Sequence, residues 1–194
     1  MPLGAFKAAL MGTAGVSTGD VVLLSSQTES GASEIDFTSG ITSTYGEYIF
    51  KFYNINPDDD NESLTFQCNA ADSTSYNEYI TSTYFDALHT EADDDYHGYR
   101  TDKDQPNTQL YNFITNEQGN GADESAIAEM HLFNPASTTY VKHFYIVSNG
   151  YRHDDMCNTL YIAGYINQTK AIDDIQFKMT DGDFDGTIKM WGVK

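Results

Sequence analysis

The chain has 194 residues, with 29 acidic against 10 basic side chains and a formal net charge of −19. That length suits one domain with a real hydrophobic core. The charge excludes nucleic acid and anionic membranes as partners, because both need Lys and Arg to replace counterions around phosphates.

What such an acidic balance favours is solubility at high local concentration, cation binding, or docking to a basic surface. No apolar run approaches the roughly 20 residues of a membrane span. The opening MPLGAFKAALMGTAG is broken by Gly4, Lys7 and Gly12, so it does not read as a signal peptide, and folding in a cytoplasm is expected.

Residues 1–19 differ from the rest in being rich in Gly, Ala, Ser and Thr. Leu3, Phe6 and Leu10 are spaced for one face of a short helix, which Gly12 and Gly15 would end. Three turns of helix are marginal alone. The segment therefore reads either as an assembly arm or as a terminus ordered against its own domain, residues 20–194.

From Asp20 onward, strand signals recur at short intervals. In chain order they are VVLLSSQT (21–28), ASEIDF (32–37), EYIFKFYNI (47–55), ESLTFQCNA (62–70) and YNEYITSTYF (76–85). They continue with TQLYNFI (108–114), SAIAEMHLF (125–133), TYVKHFYIV (139–147) and CNTLYIAGYI (157–166). The last two, IDDIQFKM (172–179) and GTIKMWGV (186–193), read as a closing hairpin around DGDFDG. Tyr48, Phe50 and Phe52 alternate with Ile49, Lys51 and Tyr53, the period of two of a half-buried strand. Short strands rich in Tyr, Phe, Ile, Val and Thr, with Gly, Asn, Asp, Ser or Pro between them, predict an all-β fold. It is a jelly roll or β-sandwich of about ten strands, with a short N-terminal arm. SAIAEMHLF is able to open as a helical turn, and Ala87 to Asn107 reads as one exposed acidic loop.

Four constellations bear on chemistry. Asp181, Asp183 and Asp185 alternate before a glycine, as in a calcium loop. The twelfth position, however, is Gly192, where an EF-hand needs a bidentate Glu, so an ordinary solvated turn competes with a looser Ca²⁺ site. Asp95, Tyr96, His97 and Tyr99 combine rings with a carboxylate, the mixture by which loops stack on sugars and bind their hydroxyls. His131, His143 and His153 lie on or beside successive strands with Asp154 and Asp155 near, which leaves separate histidines or a transition-metal site. Cys68 shares a face with Leu64 and Phe66 and reads as a buried free thiol, while pairing with Cys157 stays open. No GxSxG, HExxH, CxxC or phosphate loop occurs, so no catalytic residue is assigned and an enzyme is not expected.

GAFKAALMGTAG, IDFTSGITSTYGEYIFKFYNI (35–55), AEMHLFNPASTTYVKHF (128–144) and the terminal IDDIQFKMTDGDFDGTIKMWGVK together carry a resemblance. Over most of its length the chain resembles small uncharacterised virion proteins of marine and cyanobacterial tailed bacteriophages. That resemblance implies a non-enzymatic capsid-decoration, head-fibre or tail-fibre protein, made in the host cytoplasm and placed on the virion surface without a cofactor. Its implied partners are other virion proteins and copies of itself, with a trimer favoured. The alternative is a carbohydrate-binding adhesin that contacts host glycans.

Overall fold

The computed structural model describes residues 20–194. The arm read over 1–19, with Leu3, Phe6 and Leu10, lies outside the described residues. Among the described residues every regular element is a strand. In order they are β1 (Val21–Ala32), β2 (Ile35–Phe37), β3 (Glu47–Pro57), β4 (Leu64–Ala70), β5 (Ile80–Thr90), β6 (Asp95–Tyr99) and β7 (Gln105–Thr108). They are followed by β8 (Asn112–Phe113), β9 (Ala126–Phe133), β10 (Lys142–Arg152), β11 (Met156–Ile166), β12 (Ile172–Met179) and β13 (Phe184–Val193).

These strands make an all-β sandwich of the jelly-roll class. The large sheet runs β1-β13-β3-β9-β10-β11-β5-β6, with β7 also on β5, and the small sheet runs β2-β12-β4-β8. From β1 to β5, and again from β11 to β13, the chain changes sheet at every connection. Successive strands therefore face one another across the core instead of pairing. Their buried residues follow the period of two: Tyr48, Phe50 and Phe52 on β3, Ile175, Phe177 and Met179 on β12, Ile188 and Met190 on β13. Phe177 forms the contact between sheets, its ring centroid 5.4 Å from Phe50, 5.1 Å from Phe52 and 6.0 Å from Phe37.

Four expectations need correction. The last two strands are not a hairpin: β12 pairs β2 and β4, whereas β13 pairs β1 and β3. Both are apolar on one face, and the core is satisfied when those faces oppose each other from different sheets. The turn between them uses Gly182 at φ +69°, a left-handed conformation that glycine adopts without penalty. SAIAEMHLF has no helical turn and is a strand from Ala126 onward, because Ala128, Met130 and Leu132 point into the core on alternate positions. The acidic stretch from Ala87 is not one loop. β5 continues to Thr90, whose Oγ1 accepts hydrogen bonds from the amides of Ala92 and Asp94, and β6 returns beside it with Leu88 opposite Tyr96. TQLYNFI, finally, is not one strand: Thr108 ends β7, Asn112–Phe113 make β8, and the residues between them cross the small sheet.

The two sheets are finished differently on their outer sides. On the small sheet, β4 is buried on both faces. Gln67 there donates to the carbonyls of Glu78, Gln109 and Leu110, and Tyr111 hydrogen-bonds Gln176, so residues 76–79 and 108–118 form a roof. No such roof covers the large sheet among the described residues.

At Gly164 on β11 the backbones come unusually close. An added Cβ would lie 2.3 Å from the Thr81 carbonyl oxygen and 2.8 Å from the Phe144 ring. Gly164→Ala is expected to destabilise the domain by about 1–3 kcal/mol through forced overpacking. Denaturant unfolding measures this, and a loss under about 0.5 kcal/mol, the scale of ordinary surface changes, would show that the strands can part freely.

Candidate functional site

The unroofed face of the large sheet carries the surface feature that the fold assembles. Its registers place side chains in rows across strands. One row is Leu23, Trp191, Ile49, His131 and Tyr145, on β1, β13, β3, β9 and β10. A second is Val147, Tyr161, Phe85 and Tyr99, on β10, β11, β5 and β6. Tyr145 and Val147 lie two apart on one strand and so share a face, which joins the rows into one belt. At roughly 4.8 Å per strand the belt crosses about 34 Å, from one edge of the sheet to the other. Leu23, Tyr145, Val147, Tyr161, Phe85 and Tyr99 are 38–57% exposed, Trp191 and Ile49 are half-buried, and His131 is buried among them.

Polar groups along the belt are held by one another. His131 is stacked on Tyr145 with ring centroids 4.4 Å apart, and its two ring nitrogens face Glu47 and, at 2.8 Å, Glu129. Lys51 meets Glu129 at 2.7 Å, and this lysine together with His131 holds the Glu129 carboxyl below the usual range. Lys51 also lies 5.9 Å from the centre of the Trp191 ring, and Lys189 lies 5.2 Å from that of Tyr53. The four charges Lys51, Lys189, Glu47 and Glu129 cancel. Beside them a groove of about 510 Å³ is floored by Ile127 and Val147 and walled by Tyr53 and Asn149. The Asn149 amide is already committed to Cys157 Sγ, the Asn158 carbonyl and Thr159 Oγ1.

Of the residues singled out for sugar contact, Asp95, His97 and Tyr99 pair with His89, Ala87 and Phe85 and face outward with the belt. Tyr96 pairs with Leu88 on the opposite side, so the four do not form one surface. Tyr99 donates to Asp104 Oδ2 at 2.5 Å and packs edge-on against Phe85, with centroids 5.0 Å apart.

The aspartates of the last turn do not converge. Asp185 Oδ1 accepts from the Gly31 amide at 2.8 Å, and Asp181 Oδ1 accepts from Gly182 N at 3.0 Å. Asp183 contributes its amide instead, donating to Asp58 Oδ1 at 2.7 Å, so two acidic runs distant in sequence are tied together. His143 lies against Tyr165, and His153 sits in the β10–β11 turn, apart from His131. Among the described residues no three His, Cys, Asp or Glu side chains are grouped to hold a metal. Cys68 is a buried free thiol whose pKa burial pushes up, and Cys157 is exposed and free, so the two do not pair.

A separate ionic cluster went unnoticed in the sequence, although the chain has only two arginines and both are in it. Arg100 meets the fully buried Asp86 carboxylate at 2.8 Å and Asp102 at 2.9 Å. Arg152 and Lys103 both bind Glu117, at 2.7 and 3.3 Å. Burial pushes the Glu117 carboxyl up, but Lys103 and Arg152 outweigh it and hold the group below the usual range. The cluster ties the segment around Glu117 and the turn after β6 to the sheet interior, which is a structural task.

No protein-family model matches this chain, and no curated protein matches it. Among solved structures, a human SPRY domain is similar at 7% identity over 84% of this chain and 92% of that one, with a TM-score of 0.27. A fructosyltransferase from A. japonicus is similar at 12% identity over all of this chain, with a TM-score of 0.28, and the chain spans 29% of its length. Likenesses at these scores carry no argument about fold or function.

Two predictions follow from the ionic cluster. Arg100→Met leaves the Asp86 carboxylate buried and unpaired, at an expected cost of about 3–5 kcal/mol. Adding Asp86→Asn should recover a large part of it, and equal unfolding midpoints for the single and double variants would refute the pairing. Because the folded Glu117 pKa is depressed, its stabilisation is complete above the ordinary Glu value of about 4.3 and fades as pH falls through the lower folded value. Glu117→Gln should therefore melt below the wild type at pH near 7, with the gap narrowing at pH near 3. A gap that does not change with pH would contradict this.

Proposed function

We propose that this chain is a non-enzymatic structural protein of a phage virion surface, of the capsid-decoration, head-fibre or tail-fibre type, that works in an assembly with other virion proteins and with copies of itself. The observation that carries the reading is the contrast between the two outer faces. The small sheet is roofed by the chain's own segments, whereas the large sheet keeps a belt of rings and aliphatic groups in the open on a protein of net charge −19. Monomeric soluble proteins rarely keep apolar patches above about 300–600 Å² uncovered, and larger ones mark contact surfaces. The resemblance of four separated stretches to virion proteins points the same way. The ionisable clusters are consumed in ion pairs that fix segments of the fold, as a particle component requires.

A second reading, a glycan-binding adhesin, is favoured by the exposed edge-on pair Phe85 and Tyr99 beside His97. The N-terminal segment separates the two. Removing residues 1–19 should abolish attachment to particles while the domain remains folded, with an unchanged melting curve. An adhesin would keep its glycan binding after the same truncation. Mass spectrometry and cryo-electron microscopy of purified virions provide the direct check. Absence of the chain from particles, or normal decoration by the truncated form, would overturn the virion reading.

A further inference from the structure

We infer that the belt on the large sheet is a self-association surface, and that its occupant is the same face of a second copy of this chain. The argument begins with area. At about 200 Å² per large side chain, the exposed parts of the belt and of its neighbours Val21, Tyr53 and Ile127 amount to on the order of 800 Å². That is what one partner contributes to a standard interface. Composition agrees: Tyr and Trp are enriched at interface centres and unpaired charges are depleted.

Charge selects the occupant. Two copies of a chain of net charge −19 repel each other over most of their surfaces. In the middle of this face Lys51, Lys189, Glu47 and Glu129 cancel, and the acidic runs at 58–60, 93–95 and 181–185 gather in the turns and at the strand ends, where Asp95 and Asp185 fall in the first two residues of β6 and β13. A basic partner would seek those turns, whereas a neutral apolar face fits another neutral apolar face. Three of the hydrogen-bonding groups near the rings are also engaged already, Glu129 with Lys51 and His131, Asn149 with three acceptors, Tyr99 with Asp104. A sugar would find the Tyr53, Tyr145 and Tyr161 hydroxyls there but the neighbouring carboxylate and amide already engaged, whereas packing of two sheet faces about 10 Å apart relies on the rings themselves.

Like face on like face is an isologous contact, which closes a two-fold pair. The structure thus favours a dimer over the threefold assembly implied by the resemblance. This inference does not rest on the virion reading, which fails if the chain is missing from particles. It fails instead on the mass of the purified protein.

The test is analytical ultracentrifugation of the full-length chain. At about 100 μM, above the dissociation constants usual for interfaces of this size, the wild type should sediment as a dimer. Tyr161→Glu, at a position 57% exposed, should weaken association about tenfold or more, and Phe85→Glu should do the same. Leu110→Glu, on the roof of the small sheet and more exposed still, should leave the dimer intact. Circular dichroism melts of the variants establish that each is folded. A monomeric or trimeric wild type would overturn the inference, as would folded Tyr161→Glu and Phe85→Glu variants that dimerise normally. So would a glycan panel that binds monomeric wild type and loses the Tyr161→Glu variant.

Discussion

The contact between the two sheets at Phe177 is the constraint on which the rest of the structure depends. Its ring meets Phe50 and Phe52 from the large sheet and Phe37 from its own, all at edge-on or tilted angles that aromatic pairs prefer. Three strands, β2, β3 and β12, bring these rings together, and their order in the chain alternates between sheets. The alternation is what allows residues next to each other in sequence to close on one another across a core. It also places β13 between β1 and β3, in the interior of the large sheet and not at its margin. Because four strands cannot cover nine, the sandwich is unequal from the outset.

That inequality explains where polar and apolar residues were spent. The small sheet lies under a roof, whose Glu78, Gln109 and Leu110 carbonyls are bound by Gln67 and whose Tyr111 hydroxyl is bound by Gln176. Buried polar groups of this kind specify one arrangement of the covering segments, since an unmade hydrogen bond there costs more than a made one contributes. The ionic cluster of Arg100, Arg152, Lys103, Asp86 and Glu117 anchors the same side of the molecule. On the large sheet the investment is reversed. Outward positions carry rings, and the few charges are paired in place, with His131 held between two glutamates and stacked on Tyr145.

Much of the fold was legible in the sequence because period-two alternation depends on local chemistry alone. Ten of the eleven runs correspond to strands with similar bounds, and the face assignments on β3 and β4 hold. The β6 hairpin was hidden because its turn is a run of aspartates, which looks like solvated loop, and because a strand as short as DYHGY offers little period to count. The belt was illegible for a different reason. Its members come from eight strands whose spatial order differs from their chain order, so no stretch of sequence displays it. A partial signal was nonetheless present: Tyr145 and Val147 in KHFYIV, and Tyr161 in TLYIAGY, put apolar groups on both faces of a strand, as happens where both faces are covered. Of the candidate site residues, Asp95, His97 and Tyr99 fall on the face that matters, and Tyr96 does not. A one-residue step inverts the side of the sheet, and composition cannot see it.

The unequal sandwich also bears on how so acidic a chain is able to assemble at all. Net charge far from zero keeps protein copies apart in solution, an advantage before assembly and an obstacle during it. The obstacle is local, because unpaired charges in water interact weakly beyond about 8–10 Å at physiological salt. A contact succeeds if charges within that distance are cancelled and those outside it are left in solvent. The middle of the belt meets this condition through the Lys51–Glu129 pair, and the lysines lying over Trp191 and Tyr53 contribute both a cation and an apolar stem to the same surface. Acidic turns at the strand ends then work against stacking in any other register. The same distribution of charge that sets copies of this chain apart over most of their surfaces leaves the middle of one face for the inferred pairing.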